Sequence, residues 1–407
     1  MSEKVYIIQP IESPQVQILH EEAISLIESA GAEYAGTTFQ NIREINAATY
    51  IGAGKLQEIH DVIADEDYTV LFNGELSPSQ MLNISEALGK KKVIDRTTLI
   101  LDIFALRAES SEGKIQVELA QLKYIYPRLR GKGSSLSRLG GGIGTRGPGE
   151  SKLETDRRHI KERIRALEEK LRNTEKRRAM RTQRRKKDRV RTVALVGYTN
   201  TGKSTLMNAL TGANVLVQNA LFATLDPTSR AFEIDGVPLL LVDTVGFLQD
   251  LPHNLIEAFK STLESALCCD LALVVCDAGG DYQTQLDTTL STLKDLGFQS
   301  PYLVVMNKCD GVEDTLSLSG DVQISAKTGA GLEHLKTRIL EALKDEYLTV
   351  RLFVPYSASA DYALIRNKLF ERSVVYGDEG TEIEAVVPAE SAFLCRSFIR
   401  DNPSGRE

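Results

Sequence analysis

"GYTNTGKS", Gly197 to Ser204, decides how this chain is read. It fits G-x-x-x-x-G-K-[ST] and stands between the apolar run "TVALVG" and a helical pattern, the context in which backbone N–H groups curl around phosphates. Gly197 and Gly202 let the backbone turn, Lys203 is placed to reach β- and γ-phosphate oxygens, and Ser204 offers a hydroxyl to Mg²⁺. Asn200, Thr201 and Thr205 lie in or beside the loop and are counted with it. Three further signals follow in order, each at the end of an apolar strand pattern: "DTVG" (Asp243 to Gly246), "NKCD" (Asn307 to Asp310) and "SAK" (Ser325 to Lys327). Four matches in sequence order displace the bland reading, a glycine turn in an inert α/β fold.

The last two signals choose the base. A carboxylate at Asp310 can accept both hydrogens from the N1–H and N2 amine of guanine, and adenine offers no matching pair. GTP and its product GDP are therefore the expected nucleotides. Asn307 and Lys308 support the loop and the ring, and the Ala326 backbone, between Ser325 and Lys327, meets the guanine oxygen.

With these motifs the chain resembles the translation-factor-related GTPases. The resemblance implies that Asp243 holds Mg²⁺ through water and that the Gly246 N–H senses the γ-phosphate. In "LFATLDPT" it makes Thr224 the second hydroxyl on the metal, with Thr228 the lesser choice. Lys203, Thr224 and Gly246 are the expected catalytic set. Phe247 follows "DTVG" where Ras-like enzymes carry the glutamine that orients water, so slow intrinsic hydrolysis is expected. Asn200 matches the asparagine that coordinates K⁺ in potassium-activated relatives; a turn-stabilising amide is the alternative.

Working outward, "KVYIIQP", "EEAISLIESA", "YTVLFN" and "PSQMLNISEALG" alternate strand and helix patterns and suggest a small parallel α/β domain. Ile115, Leu119, Leu122 and Tyr126 then fall on one helical stripe, ended by Pro127, and Leu153, Ile160, Ile164, Leu167 and Leu171 fall on another. Between the two stripes, residues 131–149 hold eight glycines. Two helices flanking this loop make an antiparallel hairpin with the glycines at its tip. Within it, Gly142 to Gly147 spells G-x-G-x-x-G, but no β-branched strand precedes it, which argues against a dinucleotide turn. After the GTPase pattern, "LTVRLFVPY", a helix over "ADYALIRNKLFE" and a hairpin-like "SVVYGDEGTEIEAVVP" form a small α/β end domain, read as an interaction or packing module.

The expected fold is α/β and multidomain: an N-terminal parallel α/β domain (1–110), a helical hairpin (111–190), a P-loop GTPase domain (191–346) and a small C-terminal α/β domain (347–407). The chain carries a net charge of -7, yet residues 128–191 hold 23 Lys/Arg against 8 Asp/Glu, a net +15. One basic segment in an acidic chain marks a polyanion-binding surface. Residues 128–149 contain Arg128, Arg130, Lys132, Arg138 and Arg146 without one acid, and these are the expected RNA contacts. Five cysteines without a C-x-x-C pair point to buried thiols rather than a disulfide or zinc framework. No signal peptide pattern and no run of 18 apolar residues gives a reason to place the chain in a membrane, and a cytoplasmic location is expected.

"YIGAGKLQEI" (50–59), "ELSPSQ" (75–80), "DRTTLILDIFALRA" (95–108), "GKIQVELAQLKYIYPRLRG" (113–131) and "GGGIGTRGPGESKLETDRR" (140–158), with "LFATLDPTSR", resemble the HflX family of ribosome-associated GTPases over about residues 5–345. The resemblance implies a monomeric enzyme that binds the large ribosomal subunit. It would separate stalled ribosomes, its glycine loop reaching rRNA near the peptidyl-transferase centre. Glycines let the backbone approach phosphates, and arginines pair with them or stack on bases. A GTP-gated assembly factor and an ATP-dependent RNA remodeller are the alternatives. "GAGK" at 52–55 lacks the Ser/Thr of a phosphate loop, and the guanine-reading "NKCD" opposes the remodeller.

Overall fold

The computed structural model describes residues 2–12, 14–128, 155–174, 190–212, 221–222, 228–249, 267–312, 319–344, 347–366 and 369–401. They fall into two compact units. The first comprises Met1–Arg178 with Gln218–Asp226 and Leu248–Ser261, the second Ala179–Val217, Pro227–Phe247 and Thr262–Glu407. Their division does not follow the four expected domains: Gln218–Asp226 and Leu248–Ser261 of the expected GTPase domain fall in the first unit, and Ala179 onward of the expected hairpin in the second.

In the first unit, β1 (Lys4–Ile11), β2 (Glu33–Asn41), β3 (Tyr68–Phe72) and β4 (Val93–Asp95) form a parallel sheet in the order β2-β1-β3-β4. The alternation read from the sequence is present: α1 (Val16–Ser29), α2 (Ala53–Ile63), α3 (Pro78–Ala87) and α4 (Arg96–Arg107) occupy the connections or follow β4 directly. Ile8, Leu56, Ile59, Val70, Phe72 and Ile84 are among its buried core residues. Local chemistry fixes the helix starts. Ser77 and Gln80 close a reciprocal capping box around Pro78, which sets the first helical φ of α3. Asp95 caps α4 by accepting from the Thr98 N–H at 2.9 Å.

Helix α5 (Ser111–Arg128) packs beside a helix over 155–174: Leu119, Leu167 and Leu171 make a small core, flanked by Ile115, Leu122 and Ile164. Arg163 forks onto both Glu118 oxygens at 2.7 and 2.9 Å, and Lys123 pairs with Glu168 at 2.8 Å. The two stripes therefore do find each other. Pro127 does not end α5, whose described part runs to Arg128. The glycine loop, Leu153 and residues 175–189 lie outside the described residues.

The second unit contains two sheets. β5 (Arg191–Gly197), β6 (Thr228–Ile234), β7 (Val237–Asp243), β8 (Leu271–Asp277), β9 (Tyr302–Asn307) and β10 (Val322–Gln323) are ordered β10-β9-β8-β5-β7-β6. All neighbours are parallel except β6 and β7, a hairpin closed by Asp235 and Gly236 at φ 48° and 79°. The other sheet is antiparallel: β11 (Tyr347–Pro355), β12 (Phe370–Tyr376), β13 (Gly380–Pro388) and β14 (Ile399–Asp401), ordered β12-β13-β11-β14. Tyr347 and Val386 of this sheet share one apolar cluster with Leu335 and Ile339 of the preceding helix, so the two sheets are joined by continuous packing. The expected helix over residues 360–371 is shorter, Ser359–Ile365, because Phe370 and Glu371 pair with Val386 and Ala385 as strand residues. Cys269, Cys276 and Cys395 are buried, and burial raises the Cys276 thiol pKa to about 11.

Candidate functional site

The β5 run Val193–Val196 is fully buried, and it delivers the chain to Gly197 at the carboxyl edge of the sheet. The helix Lys203–Thr211 starts immediately after the loop, carrying Lys203, Ser204 and Thr205 in its first turn. At Gly202, φ is 90° and an added Cβ would lie 2.4 Å from Asn307 Nδ2. Glycine is required there by both backbone and contact. Asn200 also has positive φ, 59°, a conformation asparagine tolerates, in keeping with its reading as a turn residue.

Asn307 joins two of the signals that the sequence keeps about a hundred residues apart. Its Nδ2 donates to the Thr201 carbonyl at 2.8 Å, and its Oδ1 accepts from the Ala326 N–H at 2.9 Å. The side chain is buried, so both bonds form away from water. Lys308, at φ 63°, donates to Asp277 at 2.7 Å. Asp310 is exposed and bonded to the Ser325 side chain, which lowers its pKa and keeps it an acceptor; Lys327 adds to the same effect. That is the charge state a guanine edge requires.

At the phosphate end, Lys203 Nζ donates to the carbonyls of Gly197 at 3.1 Å and Tyr198 at 2.6 Å. Burial lowers its pKa to about 8, against the opposing attraction of Asp243. Ser204 Oγ donates to Asp243 at 2.7 Å, so two hard oxygen ligands converge, a donor set that fits Mg²⁺. Gly246 sits against Thr199 and Lys203, where a Cβ would meet Thr199 Cα at 2.8 Å. Next to it, the Phe247 N–H donates to Gly197 O at 3.1 Å and its carbonyl accepts from Thr199 N–H at 2.8 Å, with the ring buried.

The structure therefore brings together Gly197, Asn200–Thr205, Asp243, Gly246, Asn307, Lys308, Asp310 and Ser325–Lys327. Thr224, Arg130, Lys132, Arg138 and Arg146 lie outside the described residues. Arg128, the remaining expected RNA contact, lies at the end of α5. Its guanidinium lies over the Tyr124 ring at 3.3 Å and donates to the carbonyls of Tyr124 and Leu76 at 3.0 and 3.1 Å, beside the buried Asp95. Both terminal nitrogens thus have partners inside the unit, and the buried Nε has none among the described residues.

Two residues went unnoticed in the sequence. The Thr199 hydroxyl is buried without a hydrogen-bond partner among the described residues, a donor that a phosphate oxygen would satisfy. Asp277 holds Lys308, and its only sequence signal is its place at the end of "LALVVCD".

Three family profiles match consecutive parts of the chain: a GTP-binding GTPase N-terminal region over residues 18–105, a GTP-binding GTPase middle region over 107–185, and a 50S ribosome-binding GTPase over 192–308. The GTPase HflX of Caldanaerobacter subterraneus subsp. tengcongensis is 46% identical over 98% of this chain and 94% of that protein. The chain belongs to the HflX GTPase family. The Escherichia coli GTPase HflX is 42% identical, over 82% of this chain and 81% of that protein. A GTP-binding protein of Sulfolobus solfataricus, solved in complex with GDP, is 27% identical, covering 84% of this chain and 99% of that one at a TM-score of 0.45. As an HflX GTPase, the protein binds and hydrolyses GTP. Among the described residues, no helix is long and apolar enough to cross a membrane.

Proposed function

We propose that this HflX GTPase binds the large ribosomal subunit and uses its GTP cycle to separate ribosomes into subunits. The observation that carries the reading is the coexistence of a GTP site, with its phosphate-loop and base-reading residues, and one net +15 segment, residues 128–191, in a chain of net -7. The 50S ribosome-binding profile over the GTPase portion supports it. Arg130, Lys132, Arg138 and Arg146 would reach rRNA near the peptidyl-transferase centre, and the basic run 176–191 would hold phosphates less selectively. The protein would work as a cytoplasmic monomer whose four parts, 1–110, 111–190, 191–346 and 347–407, divide these tasks.

At the nucleotide, Ser204 and Thr224 would ligate Mg²⁺ directly and Asp243 through water. The ion supplies charge neutralisation at the β- and γ-phosphates. Lys203 would move from its present carbonyl partners to phosphate oxygens, and the Gly246 N–H would meet the γ-phosphate. Asn200 would face K⁺. Phe247 carries no polar group to orient water, so the ribosome must complete the site.

Deleting residues 138–147 tests the assignment. Intrinsic GTP turnover should stay unchanged while stimulation by large subunits is lost. Arg138→Ala with Arg146→Ala should lower the salt slope of ribosome affinity by roughly 0.7–0.9 per lost phosphate contact in log–log terms. Undiminished stimulation after the deletion would remove the loop from the account.

A further inference from the structure

The first unit has a concave site of its own. At the carboxyl ends of β1 and β3 and the start of α4, a cavity of about 250 Å³ opens between Gln9, Asn73 and Arg96. The chain leaves β1 for β2 on one side and returns to β3 on the other, so this crevice lies where the strand order reverses. Open α/β sheets keep their ligands there. Three of the blocks that carry the family resemblance, and that the GTP site leaves unexplained, meet at its walls: "YIGAGKLQEI" through Tyr50, "ELSPSQ" through Glu75, and "DRTTLILDIFALRA" through Arg96 and Thr97.

The lining specifies an occupant. Pro10, Val16 and Leu19 give an apolar wall. Tyr50, held at φ 66° with its ring 4.8 Å from that of Phe72, donates its hydroxyl to Glu12 at 2.6 Å. Burial raises the Tyr50 pKa, so the phenol stays a donor. Glu75 accepts from the Thr97 hydroxyl at 3.4 Å. Arg96 is the one basic residue among the described lining residues, and Glu22 already answers its charge at 2.6 Å, with Asn73 accepting at 3.0 Å. Glu12 and Glu75 are left as exposed carboxylates with no basic partner among the described residues. A volume below the roughly 300–1,000 Å³ of sites for larger ligands calls for a small molecule. The charge balance turns away a nucleotide, which would bring phosphates to two carboxylates.

We propose that this cavity binds a short aliphatic amine, its ammonium at Glu12 and Glu75 and its methylenes along Pro10, Val16 and Leu19. The site does not depend on the ribosomal reading.

Calorimetric titration of the full chain, saturated with GDP at fixed ionic strength, with putrescine as the probe tests it. Saturable binding is expected, weakened about tenfold or more by Glu12→Gln with Glu75→Gln and unchanged by Glu333→Gln, an exposed acid outside the cavity. Val16→Trp, which fills the cavity and leaves both carboxylates in place, should also abolish it. Binding in the double variant within about twofold of the parent, no saturable binding at all, or displacement of putrescine by ATP would overturn the proposal. Retained GDP throughout separates any such failure from damage to the GTP site.

Discussion

Lys203 shows how one residue links burial to ligand affinity. Desolvation in the fold holds its pKa at about 8, below the ordinary 10.5. Between those values the folded chain binds fewer protons than a chain with a solvated amine, so the fold gains stability as pH rises through that window. Phosphate oxygens favour the ammonium, so GDP or GTP binding above about pH 8 must take up a proton. Affinity for GDP should therefore be flat below that pH and fall by up to about tenfold per pH unit above it. A dissociation constant unchanged from pH 7 to pH 9 would show that Lys203 is already ionised in the empty loop. The motif residues of this site, unlike Thr199 and Asp277, were legible in the sequence because phosphate and guanine chemistry demands particular residue types at fixed local spacing. The partners of Arg128 were not, since Leu76 and Asp95 lie 52 and 33 positions upstream and only the folded chain brings them to it.

At the scale of elements, periodicity identified buried strands and helix stripes, but it could not say which stripe meets which. Leu119, Leu167 and Leu171 settle that point for α5 and the 155–174 helix. Leu167 is 1% exposed, and Leu167→Ala should cost about 2–5 kcal/mol locally through lost burial and the cavity left behind. Hydrogen exchange of the α5 amides should accelerate accordingly, while the β5 amides stay protected. Equal acceleration in both, or none in α5, would contradict this packing. The strand β2, "EYAGTTFQN", is harder to read because seven of its nine residues are polar or small, and the other two, Tyr34 and Phe39, are both more than a third exposed. The end of the 359–365 helix is hidden for another reason. "NKLFE" continues a helical pattern, yet β13 recruits Phe370 and Glu371 into a sheet.

At the scale of the whole molecule, net charge misleads and its distribution informs. A chain of net -7 that confines +15 to residues 128–191 presents a polyanion with one segment to bind and leaves the remainder to repel it. The same chain carries a GTP site whose phosphate-loop residues, Ser204 and Asp243, and base-reading residues fall within one compact unit, and Phe247 where a water-orienting glutamine would stand. Under the proposed function these features make a nucleotide switch that RNA completes. The most direct measurement is sedimentation of intact ribosomes through a sucrose gradient after incubation with the protein and either GTP, a non-hydrolysable GTP analogue, or GDP. The account predicts that GTP and the analogue convert the ribosome peak into separate subunits, with the protein travelling on the large one, and that GDP does not. An undiminished ribosome peak with GTP, or equal splitting with GDP, would contradict it.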